Sequence, residues 1–148
     1  MHIELSPDSG ELRDYVTVPA GTYVCTVAEA NVGTTRSGDP RWGLRLVVAE
    51  GEFVGRQAAW DGIVFSERGK PRVRLILRAF GLPHTGRVDI EPQDLVGRRA
   101  LVQVGPKEWH DERTGTTIRR NEVPFDGYAP LPGDDGEEAP AVDGDLPF

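Results

Sequence analysis

The sequence predicts an all-β domain that carries one helix and ends in an acidic tail. Three observations predict it. Apolar and polar side chains alternate over five stretches, which is the period of a strand with one buried face. Between the third and fourth of these, one stretch carries an i, i+3, i+4, i+7 apolar stripe, the period of a helix. The last fifteen residues, DDGEEAPAVDGDLPF, hold six carboxylates and no Lys or Arg, yet close on Leu, Pro and Phe.

Taken in order, residues 1–20 are polar, with Pro7, Gly10 and Pro19, and read as an N-terminal arm or edge strand. From Gly21, GTYVCTVAEANV sets Tyr23, Cys25 and Val27 on one face of a first long strand. GTTRSGDP interrupts it as a loop. RWGLRLVVAE then places Trp42, Leu44, Leu46 and Val48 together, with Arg45 opposite, and a third strand runs through GRQAAWDGIVF. In KPRVRLILRAFGLP the stripe is Val73, Ile76, Leu77 and Phe80, with Pro71 suited to the first turn and Gly81 to the stop. Arg72, Arg74 and Arg78 fall on its other faces and read as solvated. RRALVQV is the fourth strand, GPKEWHDERTG a polar hairpin loop, and TTIRRNEV the fifth strand.

Three strands, a helix and two strands within residues 21–130 is the order of the OB-fold. That fold is a five-stranded Greek-key barrel with its helix between strands 3 and 4, and it binds oligonucleotides through its strand 2–3 face and its hairpin loops. Residues 131–148 form the tail, whose Pro, Gly, Asp and Glu content predicts disorder.

Charge is divided unevenly. The whole chain is −7, the tail alone carries −6, and Arg36 to Arg120 holds sixteen basic against eleven acidic side chains. A basic middle suits a polyanionic partner, and an acidic protein that mimics DNA would be acidic throughout. The lone Cys25 excludes an internal disulfide. With neither a basic leader followed by an apolar run nor a long apolar stretch, a cytoplasmic protein with no membrane partner is expected.

The runs GTYVCTVAEANVGTTRSGDPRWGLRLVV, GEFVGRQAAWDGIVF, LRAFGL and DLVGRRALVQVGPKEW followed by RRNEV keep an order and spacing, from about Pro19 to Tyr128, that resembles a family of phage-encoded proteins. These have an OB-type core and are taken to bind single-stranded DNA. The ending DGDLPF is similar to the acidic tip of bacterial and phage single-stranded-DNA-binding proteins, with Leu146 where those tips usually carry Ile. The resemblance implies a protein that coats single strands in a bacterial host during phage replication, recombination or repair, recruits other proteins through its tip, and needs no cofactor. A homodimer is one assembly open to it.

Binding single strands without reading sequence needs cations along the phosphates and aromatic faces under the bases. Trp109 is the leading stacking residue, since its neighbours are all polar; the alternative is a lid over the barrel end. Trp42 reads as core. Trp60 shares a face with Arg56, Ala58, Gly62 and Val64 and fits either core or platform, while Phe65 reads as core. The expected phosphate contacts are Arg45, Arg56, Lys107, Arg113, and Arg119 or Arg120, because neighbours on a strand point opposite ways. In the tail, Asp143, Asp145, Leu146, Pro147 and Phe148 form a tip whose ring can enter an apolar pocket while a basic rim holds its carboxylates. The tail's charge also competes with phosphates for the same cations.

An enzyme is not expected. His110, Asp111 and Glu112 are adjacent on a hairpin and diverge, so a metal-dependent nuclease lacks convergent ligands, and no phosphate-binding Gly-rich loop precedes the helix.

Overall fold

The computed structural model describes residues 12–132. The start of the N-terminal arm, and the tail with Asp143, Asp145, Leu146, Pro147 and Phe148, lie outside the described residues. Among the described residues the chain is mostly β with one α-helix. Its strands are β1 (Leu12–Asp14), β2 (Gly21–Thr34), β3 (Pro40–Val48), β4 (Gln57–Val64), β5 (Arg99–Asp111), β6 (Thr116–Glu122) and β7 (Tyr128–Ala129), with α1 (Lys70–Ala79) between β4 and β5.

β2, β3 and β4, the three strands that the alternation predicts, form an antiparallel meander. β5 serves two partners. Its first half, Arg99 to Val104, pairs with β2, and its second, Gly105 to Asp111, pairs with β6. The strand order is therefore β1-β6-β5-β2-β3-β4, with β7 beside β5.

Seven strands stand where five are predicted. The two extra, β1 and β7, are three and two residues long, too short to show a period. The five long strands have the predicted order around the helix. A second difference lies at the last hairpin. The segment read as a loop from Gly105 is ladder up to Asp111, and it turns only over Glu112–Gly115. This part of β5 is exposed over five consecutive residues. With neither face buried, nothing selects alternating apolar side chains, and the strand leaves no pattern to read.

Residues 15–18 bridge the two ends of the sheet. The Tyr15 N–H donates to the Arg119 carbonyl of β6 at 2.7 Å. Two residues later the Thr17 hydroxyl donates to the Gln57 carbonyl of β4. Asn121 of β6 completes the bridge, its side-chain amide donating to the carbonyls of Val18 (3.0 Å) and Ala58 (3.2 Å).

Inside, Leu44, Leu46, Ile63, Ile76, Leu95 and Val102 are fully buried. The helix contributes its predicted stripe, with Ile76, Leu77 and Phe80 buried and Val73 packed at the margin. Pro71 occupies the first turn. Gly81, at φ +78°, ends the helix in the left-handed region that favours glycine. Gly69 precedes it because a Cβ there would lie 2.3 Å from the Val64 carbonyl oxygen. No described helix is long and apolar enough to cross a membrane.

Arg72 departs from the solvated role read for it. Its guanidinium pairs with Asp61 at 2.8 Å and donates to the carbonyls of Gly62 (2.9 Å) and Phe125 (3.2 Å). The stripe that turns α1 onto the sheet also sets Arg72 at the seam between helix, β4 and the segment before β7. Helical periodicity marks the apolar face and carries no information about such a seam.

Cys25 is fully buried, and burial pushes its thiol up to about 12. Raised in the folded state, it contributes stability that is complete below its ordinary range and lost as pH climbs towards that value. Iodoacetamide at pH 8 is expected to leave the native thiol unmodified and to label it fully in denaturant. Labelling of the native chain at the rate of a free thiol would show that β2 opens locally.

Candidate nucleic-acid interface

The outer face of the meander is set by the same alternation that fills the core. Trp42, Leu44 and Leu46 point inward and are buried; Arg41, Gly43 and Arg45 point outward. Across the ladder, Arg45 faces Trp60 and Gly43 faces Gly62. Two glycines opposite one another leave a flat patch, and both flanking side chains lie on it. The Trp60 ring is 3.9 Å from where a Gly43 Cβ would be, and the Arg41 guanidinium occupies the space of a Gly62 Cβ. Trp60 is 42% exposed, whereas Trp42 is 8% exposed and packs edge-on against Phe65 at 4.7 Å. Trp42 and Phe65 thus belong to the core, as read from register.

The face expected for Trp60 is corrected in one respect. Leu46 pairs with Ala59 but Val47 pairs with Gln57, so Ala58 is an extra residue, a β-bulge. The bulge breaks the period of two, turning both Ala58 and Ala59 into the core and Trp60 outward. Strict alternation from Arg56 therefore misplaces Ala58. Arg56 itself lies just before β4, where it donates to the Thr17 carbonyl (3.3 Å) and sits 5.4 Å from the Phe53 ring.

On β5 and β6, Trp109 pairs with Ile118 and Lys107 with Arg120. Trp109 is a strand residue, 42% exposed. Its ring has two cations beside it: Lys107 Nζ at 5.8 Å and the Arg120 guanidinium carbon at 5.5 Å from its centre. Arg120 also lies 6.0 Å from the ring of Tyr15, which is 54% exposed. Arg119 points the opposite way and pairs with Asp14 at 2.9 Å, so the alternative between the two arginines resolves to Arg120 on this face. Arg113 is in the β5–β6 turn, 4.0 Å from Asp111.

Tyr15 joins the two halves. It lines a cleft of about 280 Å³ with Trp60 on one side and Arg120 on the other. The outer surface therefore carries Trp60, Tyr15, Arg120, Trp109 and Lys107 in sequence, with Arg41 and Arg45 beyond Trp60. Arg45 is held by the Gln57 amide oxygen (3.0 Å) and lies 4.0 Å from Glu29; Lys107 lies 3.6 Å from Glu122. Among the described residues, neither Arg41 nor Arg120 has a carboxylate within ion-pair distance. Both charges are open to an anion.

Of the eight expected contacts, Arg45, Trp60, Lys107, Trp109 and Arg120 share this surface, while Arg119 points the opposite way with Asp14, Arg113 is in the β5–β6 turn and Arg56 is held at the Thr17 carbonyl just before β4. Tyr15 and Arg41 were not singled out from sequence. Arg41 was legible, being two residues before Gly43 in the same alternation as Arg45. Tyr15 is an aromatic in a polar segment, the feature that marked Trp109, but its place beside Trp60 follows only from the crossing of residues 15–18. No group of three or more metal-ligating side chains is found among the described residues.

A model of a family of proteins of unknown function, DUF669, matches residues 6–129. The chain belongs to that family. The match spans β1 to β7, so it contains every residue of the face just described. No curated protein matches the chain.

Proposed function

We propose that this protein binds single-stranded DNA, coating exposed strands with little sequence preference during phage replication or recombination. The observation that carries this reading is the row of open rings and cations from Trp60 through Tyr15, Arg120 and Trp109 to Lys107. Aromatic faces accept any base, because every base has a π-surface, and cations beside them take the phosphates between successive bases. A folded core protein has no need to hold three large rings in water beside unpaired guanidinium groups.

An OB-type barrel is the architecture we infer. Five long strands in the order three, helix, two support it, as do the pairing of β2 with both β3 and β5 and the bridge from β4 to β6 through residues 15–18. In that fold the second and third strands, here β3 and β4, form the floor of the nucleic-acid site.

Titration of labelled oligo(dT) with the full chain tests the function. Four cations on the face, Arg41, Arg45, Lys107 and Arg120, each contribute about −0.7 to the slope of log affinity against log salt. Binding is expected to weaken about 50-fold between about 50 and about 200 mM salt, with quenching of tryptophan emission. Absence of binding at the lower salt, or affinity indifferent to salt, would overturn the reading.

In the same reading the tip from Asp143 to Phe148 recruits replication or recombination proteins, and the acidic tail competes with DNA for the cations. A chain cut after Gly133 is expected to bind oligo(dT) more tightly at low salt and equally at high salt. Unchanged affinity at both would remove the competition.

A further inference from the structure

Beside the sheet, α1 carries two neighbouring rows of side chains. Val73 and Leu77, one turn apart, line a cavity of about 580 Å³ whose other apolar walls are Phe65 and Val88. Leu77 is buried, and the other three are half-buried against the core. The second row is basic: Lys70, Arg74 and Arg78 follow one another at i, i+4 and i+8, and the first two line the same cavity. All three are exposed. Of the two carboxylates that also line it, Glu67 is paired with Lys70 at 2.7 Å, which leaves Asp39. Among the described residues, neither Arg74 nor Arg78 has a carboxylate within ion-pair distance. The cavity shares no lining residue with the cleft of Tyr15 and Trp60.

An apolar cavity with a basic edge fits an acidic peptide that ends in an apolar side chain, and this chain supplies such a peptide itself. The described residues end at Pro132, three positions beyond β7, and the Tyr128 ring of β7 lies 5.8 Å from Phe80 at the end of α1. Sixteen residues follow, as far as Phe148. A segment of that length spans up to about 50 Å, several times the length of α1, about 15 Å. The charges also match in spacing. Asp143 and Asp145 are about 7 Å apart in an extended peptide, and Arg74 and Arg78 are about 6 Å apart along the helix.

We propose that the tip of this same chain docks on α1, with Phe148 and Leu146 in the cavity against Val73, Leu77 and Phe65, and Asp143 and Asp145 on Arg74 and Arg78. The docking does not depend on DNA binding. Its consequence for recruitment is direct: a replication or recombination protein gains the tip only by displacing it from α1.

The test uses a labelled peptide of residues 143–148, DGDLPF, whose binding to full-length chains is followed by fluorescence polarisation. Phe148→Ala disables the chain's own tip and leaves the cavity open. A tethered tip acts at an effective concentration on the order of 1 mM, so for a tip that binds at about 0.1 mM the peptide is expected to bind Phe148→Ala about tenfold more tightly than wild type. Adding Arg74→Glu to Phe148→Ala, a change at an exposed position, is expected to weaken the peptide about five- to tenfold. Equal affinity for wild type and Phe148→Ala, or no binding to either, would overturn docking within the chain. Unchanged affinity on adding Arg74→Glu would place the peptide elsewhere, the cations of the strand-binding face included, and overturn the assignment to this cavity. Light scattering is expected to give wild type and Phe148→Ala the same mass; a dimer that Phe148→Ala dissociates would put the tip on a second copy and overturn the proposal. None of these measurements uses DNA, so the single-strand reading stands or falls separately.

Discussion

Replacing Trp60 and Trp109 together by alanine is expected to weaken oligo(dT) binding by ~2 to 6 kcal/mol, most of what a small single-strand site can supply. Each ring stacked on a base is worth ~1 to 3 kcal/mol. The two belong to different strands, β4 and β5, that do not pair, so their losses should add. Each is 42% exposed and neither belongs to the buried core, so thermal stability should change by no more than about 1 kcal/mol. The double variant retains Trp42, buried against Phe65, as its remaining indole. Its emission should no longer respond to DNA. Were quenching to persist at full amplitude in that variant, the responding ring would be the buried one, and the face described here would not be where the strand lies.

The second large effect concerns stability. Asp61 Oδ2 accepts from the Arg72 guanidinium at 2.8 Å and from the Tyr128 hydroxyl at 2.5 Å, joining β4, α1 and β7. Asp61→Ala leaves a half-enclosed guanidinium without its counter-charge and a buried hydroxyl without an acceptor. Breaking a buried pair costs ~3 to 5 kcal/mol, and the residual exposure of these side chains lowers the expected loss to about 2 to 4 kcal/mol. Chemical denaturation measures it. Asp61→Asn, which keeps an acceptor oxygen, should lose less, and a loss below about 1 kcal/mol for Asp61→Ala would show the cluster to be structurally idle.

The same cluster predicts an alkaline limb. Burial first, and then the neighbouring Asp61 charge, raises the Tyr128 hydroxyl well above its ordinary value. A group raised in the folded state stabilises fully below its unfolded value and loses that contribution as pH rises beyond it. Stability should therefore fall above about pH 10, and less steeply in Tyr128→Phe.

Much of this molecule was legible in its residues. Trp42, Leu44, Leu46 and Val48 alternate because β3 has one buried face, and Val73, Ile76, Leu77 and Phe80 repeat helically because α1 has one buried stripe. Burial leaves a periodic record, and the long elements and Trp42's place in the core could be read from it. Exposed structure leaves none, which is why β5 from Gly105 to Asp111 looked like a loop and Trp109 like a loop residue. A bulge is a change of register between two strands, and nothing in QAAWDG says which residue is the extra one until β3 is laid beside it.

The amino-acid sequence alone determined the kinds of side chain available, the strand and helix periods, and the separation of a basic middle from an acidic end. Tertiary structure decided the company they keep. It brought Tyr15 and Asn121, 106 positions apart in the chain, to the cleft beside Trp60, turned Arg120 rather than Arg119 to that surface, and drew Arg72 into a seam with Asp61 and Tyr128. The physical reason is that a periodic pattern reports only whether a side chain is in water. Which groups meet across the molecule depends on the closure of strands distant in sequence, and that information resides in packing.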